Sequence, residues 1–282
     1  MDTASPRIDR RTLSCELRAS FEHRHGQTIL SDLYHTAPLK IAKTFRLPDE
    51  DNALYVHMMD ASPGILNGDH YQIHCRLGEN SHVYLTNQSY TKIHPTPEGE
   101  SRLEQTFHLA KGAVLEYFPE PTVPYRLSRF RSETNIRLAR GAVAFVGEVL
   151  APGRLHHGER FAYTSFSAKT EAYVDDMLTN WDHFHLEPAV HRYDNLGALD
   201  GYTHIGTLWI WAAGCDDRLV QAIREEVGSR EHISYGVSLS GEYGIAVRIL
   251  AHHVRQARSV IETAWDTARR ALLGRPAPLI RR

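Results

Sequence analysis

The sequence predicts a mainly β protein: a stacked β-solenoid-like or layered β-sheet body with two α-helices in the C-terminal half. Three observations carry that prediction. Short runs of alternating apolar and polar residues recur from Leu13 to Ala212, the period of a half-buried strand. A repeat is visible: Leu109-Ala110-Lys111-Gly112-Ala113-Val114 returns as Leu138-Ala139-Arg140-Gly141-Ala142-Val143, and Leu77-Gly78-Glu79-Asn80-Ser81-His82-Val83 is a looser copy. Helical spacing appears only after Asp216. Each repeat reads as strand, tight turn, strand, and such units bury their faces by stacking on neighbours. A β-sandwich gives similar local signals.

Taken in order, residues 1–11 read as a disordered lead-in, residues 12–275 as one β-rich domain and residues 276–282 as a tail. From Leu13 the chain alternates through Cys15, Leu17, Ala19 and Phe21, turns near His25-Gly26 and continues from Thr28 to Tyr34, a hairpin pattern. The segment Pro38 to Lys43 and the apolar run Leu54 to Met59 lead into a turn-rich stretch, Ser62 to His94. There Pro63 and Gly64 suit the central positions of a type II turn, and Asn67-Gly68 is the pair a type I′ hairpin turn favours, so Asp69 is held at a fixed point. Tyr71, Ile73, Cys75 and Leu77 then share one strand face. The run His82 to His94 breaks this pattern, with Asn87 and Thr91 beside Val83 and Leu85, and Gln88 and Lys92 beside Tyr84. Polarity on both faces suits a polar channel, a stacked ladder or a partner surface.

Further strand runs fall at Leu103 to Leu109, Glu133 to Leu138, Ala142 to Leu150, Phe161 to Ser167 and His204 to Ala212. Pro119, Pro121 and Pro124 set a rigid extended turn that cannot join a central strand. Asp216 is placed to cap a helix carrying Leu219, Val220, Ile223 and Val227 and stopped by Gly228. After a hairpin-like segment, Val237 to Leu250, a second helix carries Val254, Ala257, Ile261, Ala264, Trp265, Ala268 and Leu272 along one stripe and ends at Gly274 and Pro276. That stripe packs on the β body or on a partner.

Composition narrows the function classes. With 282 residues, 42% hydrophobic content and a formal net charge of -2, the chain has enough apolar mass for a core and no overall basic footprint for nucleic acid. Three cysteines, far apart and outside any C-x-x-C spacing, predict neither a disulfide framework nor a cysteine zinc site. No apolar signal core and no stretch near 18 apolar residues appears, so a cytoplasmic protein without a membrane span is expected. Eighteen histidines include the pairs His23/His25, His156/His157, His183/His185 and His252/His253; surface imidazole and a nickel, copper or zinc site both fit such pairs.

The sequence holds no G-x-x-x-x-G-K-[ST], H-E-x-x-H, G-x-S-x-G or G-x-G-x-x-G. What it does hold is a set of turn-rich, acid-containing motifs in a fixed order: SPGILNGD with TNQSYTK, then Leu115 to Tyr125 (LEYFPEPTVPY), then Gly153-Arg154 and Gly158-Glu159-Arg160-Phe161. With the earlier PLKIAK and the final helix bearing Trp265, Arg269 and Arg270, these resemble the urease accessory protein UreD (UreH) family over nearly the whole chain. Pro63, Gly64, Gly68, Lys92, Pro119, Pro121, Arg154 and Gly158 are the structural positions of the matched motifs.

The resemblance implies a non-catalytic scaffold for nickel insertion into urease, working with UreF and the GTPase UreG on the urease apoprotein, in an assembly with two copies of this chain. It implies no tightly bound cofactor and transient Ni²⁺ at most. Such a scaffold needs sparse, replaceable ligands along a wet path rather than a complete cage. Asp69, Glu116, Glu148 and Glu159, with His157, are the metal-path candidates, and Trp265, Arg269 and Arg270 the partner-interface candidates. Local roles compete: Asp69 bracing its turn, Glu116 and Glu159 pairing with Arg126, Arg154 or Arg160. Two other classes stay open. A stand-alone nickel storage or sensing protein would use the histidine pairs, and a β-solenoid carbohydrate-active enzyme would use Glu116 and Glu148 as paired carboxylates about one repeat apart.

Overall fold

A computed structural model describes residues 13–47, 52–193 and 195–278. All of the predicted lead-in and the last four residues of the predicted tail lie outside them. Two antiparallel pairs open the fold: β1 (Ser14–Arg24) with β2 (Gln27–His35), and β3 (Leu39–Phe45) with β4 (Ala53–Asp60). His25 and Gly26 both take positive φ, 52° and 79°, as the two-residue hairpin turn between β1 and β2 requires.

The chain then coils. β5 (His70–Leu77), β6 (His82–Asn87) and β7 (Thr91–Ile93) make one turn, β8 (Ser101–Leu109), β9 (Val114–Tyr117) and β10 (Thr122–Pro124) the next, and β11 (Arg129–Leu138) with β12 (Val143–Leu150) a third. Corresponding strands pair in parallel: β5 with β8, β8 with β11, β6 with β9, β9 with β12 and β7 with β10. The repeated Gly turns stack as the repeat predicts, Ala110 N–H donating to Leu77 O at 2.9 Å and Ala139 N–H to Leu109 O at 2.8 Å. Gly112 sits at φ 72° against the Asn80 side chain, which leaves no space for a Cβ.

Antiparallel strands finish both sheets. β13 (Ser165–Val174) runs parallel to β11, and β14 (Met177–Leu186) returns antiparallel to β13 to complete a seven-stranded sheet of order β14-β13-β11-β8-β5-β1-β2. With β15 (His204–Trp211), β16 (Ile233–Leu239) and β17 (Gly244–Ala251), a larger sheet runs β16-β17-β15-β12-β9-β6-β4-β3. Between the sheets lies one apolar core, including Leu17, Ile73, Leu85, Phe107, Leu115 and Ile136. A second core lies on the other face of the larger sheet, under α1 (Asp217–Val227) and α2 (Val254–Leu273).

Both helices form where their caps predict. Asp216 accepts from Leu219 N–H at 2.9 Å, and Gly228 and Gly274 close the two C-termini. The α2 stripe buries Ala257, Val260, Ile261, Ala264, Trp265 and Ala268 on the sheet, each large apolar side chain contributing about 1.5–3 kcal/mol. Core packing is thus what that stripe does.

Four local expectations are corrected. The run His82 to His94 is two strands, because the chain bends at Gln88-Ser89 before β7. At Asn67-Gly68 only Gly68 takes positive φ, so the turn is not type I′ and it feeds β5 rather than a hairpin. Pro124 does join a strand, as the last residue of the short β10, paired in register with Ile93. The strand read at Phe161 to Ser167 starts at Ser165 and runs on to Val174.

Candidate functional site

The two sheets do not close on each other everywhere. Polar interior side chains hold open a cavity with about 100 Å³ of water-accessible volume, enough for several waters. Tyr71, Gln105, Tyr117, Ser132 and Glu148 line its inner part, and the exposed Gln88, Ser89 and Lys92 its outer end. A smaller cavity of about 50 Å³, lined by Asp182, Thr207 and Arg248, shares Thr122, Glu148, Val149, Phe166 and Ala168 with the first. Glu148 therefore stands at the junction.

Strand register explains how it gets there. Tyr117 pairs with Val146, two residues before Glu148, so both side chains leave β12 and β9 on the inner face. Glu148 is also abreast of Thr207 on β15, and Thr207 abreast of Arg248 on β17. Arg248 donates to Thr207 Oγ1 at 3.0 Å and pairs with Asp182 at 2.5 Å. Among the described residues no donor side chain hydrogen-bonds the Glu148 carboxylate. Burial pushes that carboxyl up to about 7, with Arg248 pulling it down and Asp182 adding to the rise. What surface it keeps faces the cavity. Tyr117 donates to Gln105 Oε1 at 2.5 Å, and Gln105 donates on to Thr134 at 3.1 Å, so the floor beside Glu148 is a fixed polar network.

Glu116 is elsewhere. It pairs in register with Phe145, on the face of the larger sheet that meets α2. There its carboxylate meets His82 Nε2 at 2.5 Å, accepts from Trp265 Nε1 at 2.6 Å and from Arg269 Nε at 3.2 Å. Burial works against ionisation, but His82, Arg269 and Trp265 together hold the carboxyl below its usual range. The chain's repeat carried this signal: the Gly turns match Glu116 with Phe145, not with Glu148. The two carboxylates lie on opposite faces of one sheet, so the paired-carboxylate arrangement of a glycosidase is absent.

The remaining predicted residues separate further. Asp69 accepts from Leu66 N–H at 2.8 Å in its turn, and burial raises its carboxyl. Gly64, at φ 137°, lets β7 approach so closely that a Cβ would meet Lys92 O at 2.5 Å, while Pro63 is exposed beside it. Glu159 is gripped by Arg154, whose Nε donates at 2.9 Å, and accepts from Arg126 N–H at 3.2 Å; Arg154 lies 4.1 Å over Tyr125. The Arg154 contacts hold the Glu159 carboxyl below its usual range. His157 is exposed on a short 3-10 turn capped by Gly158 at φ 70°. Pro119 and Pro121 carry the chain from β9 to β10, where Glu120 pairs with Arg258. Of the interface candidates only Arg270 reaches the surface, paired with Asp266; Trp265 and Arg269 turn inward to Glu116.

Sequence reasoning missed His82, Asp182 and Arg248. The latter two stand on antiparallel strands outside the repeat, and no local spacing marks them. Among the described residues no three His, Cys, Asp or Glu side chains converge as a metal cage would need, and no helix is long and apolar enough to cross a membrane.

Comparison with known proteins places this geometry in a family. A family model described as UreD urease accessory protein matches residues 14–282. A urease accessory protein UreD of Acetivibrio thermocellus is 32% identical over 237 residues, 84% of this chain and 90% of its own length. Those of Deinococcus radiodurans and Bacillus sp. strain TB-90 are 34% and 31% identical over 260 residues each, covering 90% and 92% of this chain and 92% and 95% of theirs. With matches spanning nearly its full length, this chain belongs to the UreD family of urease accessory proteins.

Proposed function

We propose that this chain is a non-catalytic urease maturation factor that passes Ni²⁺ to apo-urease through its interior, in a cytoplasmic complex with UreF and the GTPase UreG, two copies of the chain per assembly. The observation that carries the reading is Glu148: a carboxylate in a wet cavity, without a hydrogen-bonding donor among the described residues, at the junction of two lined cavities. A single replaceable oxygen ligand backed by water holds a hydrated divalent ion weakly enough to release it. Asp182 and Arg248 at the far side, and Gln88 and Lys92 at the near side, set the field at the two ends. Glu116, Glu159 and Asp69 serve the route by rigidity, since each is already engaged by protein donors.

The test is co-expression with urease and the other accessory proteins, reading urease nickel content by elemental analysis. Glu148→Gln keeps shape and hydrogen-bonding capacity but removes the charge, and is expected to lower nickel occupancy several-fold while the complex still assembles. Full nickel occupancy in an assembled Glu148→Gln complex would overturn the route.

A further inference from the structure

Four histidine pairs stand out in the sequence, and the fold treats them differently. His23 lies near the end of β1, where its Nδ1 meets Asn52 at 3.0 Å, while His25 is already in the turn at φ 52°. His156 and His157 are consecutive on a 3-10 turn, where neighbouring side chains point about 120° apart. His252 and His253 are also consecutive: the first packs its ring on Tyr202 at 4.8 Å, and the second caps α2. Of the four pairs, His183 and His185 alone are alternate residues of one strand, β14, so both rings leave the same face. The alternation is plain in their surroundings. Asp182 between Trp181 and His183 lines the interior, whereas Trp181, His183 and His185 are exposed.

The two rings stand at a separation that one metal ion can span. Their centres are 6.0 Å apart with the planes inclined at 43°. An ion about 2.0–2.1 Å from a ring nitrogen lies about 3.2 Å from that ring's centre, so two imidazoles sharing it have centres at most roughly 6.4 Å apart.

Each ring is also oriented through its other nitrogen. His185 Nε2 meets Glu187 Oε1 at 3.1 Å, and His183 Nε2 hydrogen-bonds Ser167 Oγ at 2.9 Å. A carboxylate or hydroxyl on one ring nitrogen fixes the tautomer and the ring orientation, and leaves the other nitrogen, here Nδ1, to take a metal. The one cation abreast of the pair is answered within the chain: Lys169, in register with His183, pairs with Glu171 at 2.7 Å. With two protein nitrogens and water completing its shell, such a site holds an ion without the three converging side chains of a cage.

We propose that His183 and His185 form an exchangeable surface site for one divalent transition-metal ion of the class that favours imidazole: nickel, copper or zinc. Hard ions such as Mg²⁺ prefer oxygen and are not held there. The site is independent of the interior route, because these rings leave β14 on the face away from the cavity that Asp182 lines.

A reporter stands beside it. The Trp181 ring lies edge-on to His183 at 6.1 Å and is 58% exposed, whereas Trp209, Trp211 and Trp265 are buried. Tryptophan fluorescence of the full chain is titrated with Cu²⁺ and with Ni²⁺, whose open d shells quench a nearby indole, and Trp181→Phe checks which indole responds. The expected result is saturable quenching, with copper the tighter of the two and excess Mg²⁺ without effect. His183→Gln with His185→Gln is expected to raise the quenching midpoint at least tenfold, and His156→Gln with His157→Gln to shift it less than twofold, with thermal melts confirming that each variant folds. A midpoint unmoved by the first pair of substitutions, an equal shift from the second, displacement by Mg²⁺, or quenching undiminished in Trp181→Phe would overturn the site.

Discussion

Two carboxylates show how environment separates residues of one type. Glu116 is met by three donors in a buried interface, so removing its charge takes the counter-charge from Arg269, which is 0% exposed and otherwise donates to the Pro276 carbonyl. Glu116→Gln is expected to cost about 3 kcal/mol in urea unfolding, and Arg269→Met in the same chain should recover part of that loss. Glu148 behaves oppositely. Below about pH 4.5 its carboxyl is protonated in both folded and unfolded chains; as pH rises from there through about 7 the unfolded chain ionises first, and stability falls. Glu148→Gln should therefore match the parent at pH 4.5 and exceed it at pH 8, by on the order of 2 kcal/mol. A constant difference across that range would mean that the carboxylate is not desolvated in the cavity.

Elements that depend on local signals were legible: the β1–β2 hairpin from His25-Gly26, both helices from their caps, the coil from its repeated Gly turns. Elements set by tertiary contacts were not. The β13–β14 hairpin turns on Asp175-Asp176, both at positive φ (47° and 62°) but without the glycine that usually marks such a turn. Register was the other obstacle: Glu148 lies three residues past Phe145, the register partner of Glu116, and that odd offset, readable from the Gly-turn repeat only when it is counted residue by residue, reverses the face. Gly64 is where the motif's composition has its clearest structural reason. Gly64→Ala would drive a Cβ into the Lys92 carbonyl, so a loss of at least about 1 kcal/mol and a loosened β7 are expected, read by denaturant melts and amide exchange near Ile93.

At the scale of the molecule, the coil brings residues from distant turns into one interior and leaves a polar seam where antiparallel strands replace the repeat. Fold class and family were readable from the chain; the cavity was not, since Asp182, Thr207 and Arg248 arrive from β14, β15 and β17. The central claim is that this seam is a route. Ala168 lines both cavities beside Glu148, so Ala168→Leu narrows the junction without touching a charge or the outer face. The decisive measurement is nickel per urease active site after co-expression, with assembly of the complex verified on the same sample. A route through the interior predicts several-fold less nickel with Ala168→Leu and an unchanged level with Arg131→Gln; full nickel loading by an assembled Ala168→Leu complex would contradict it.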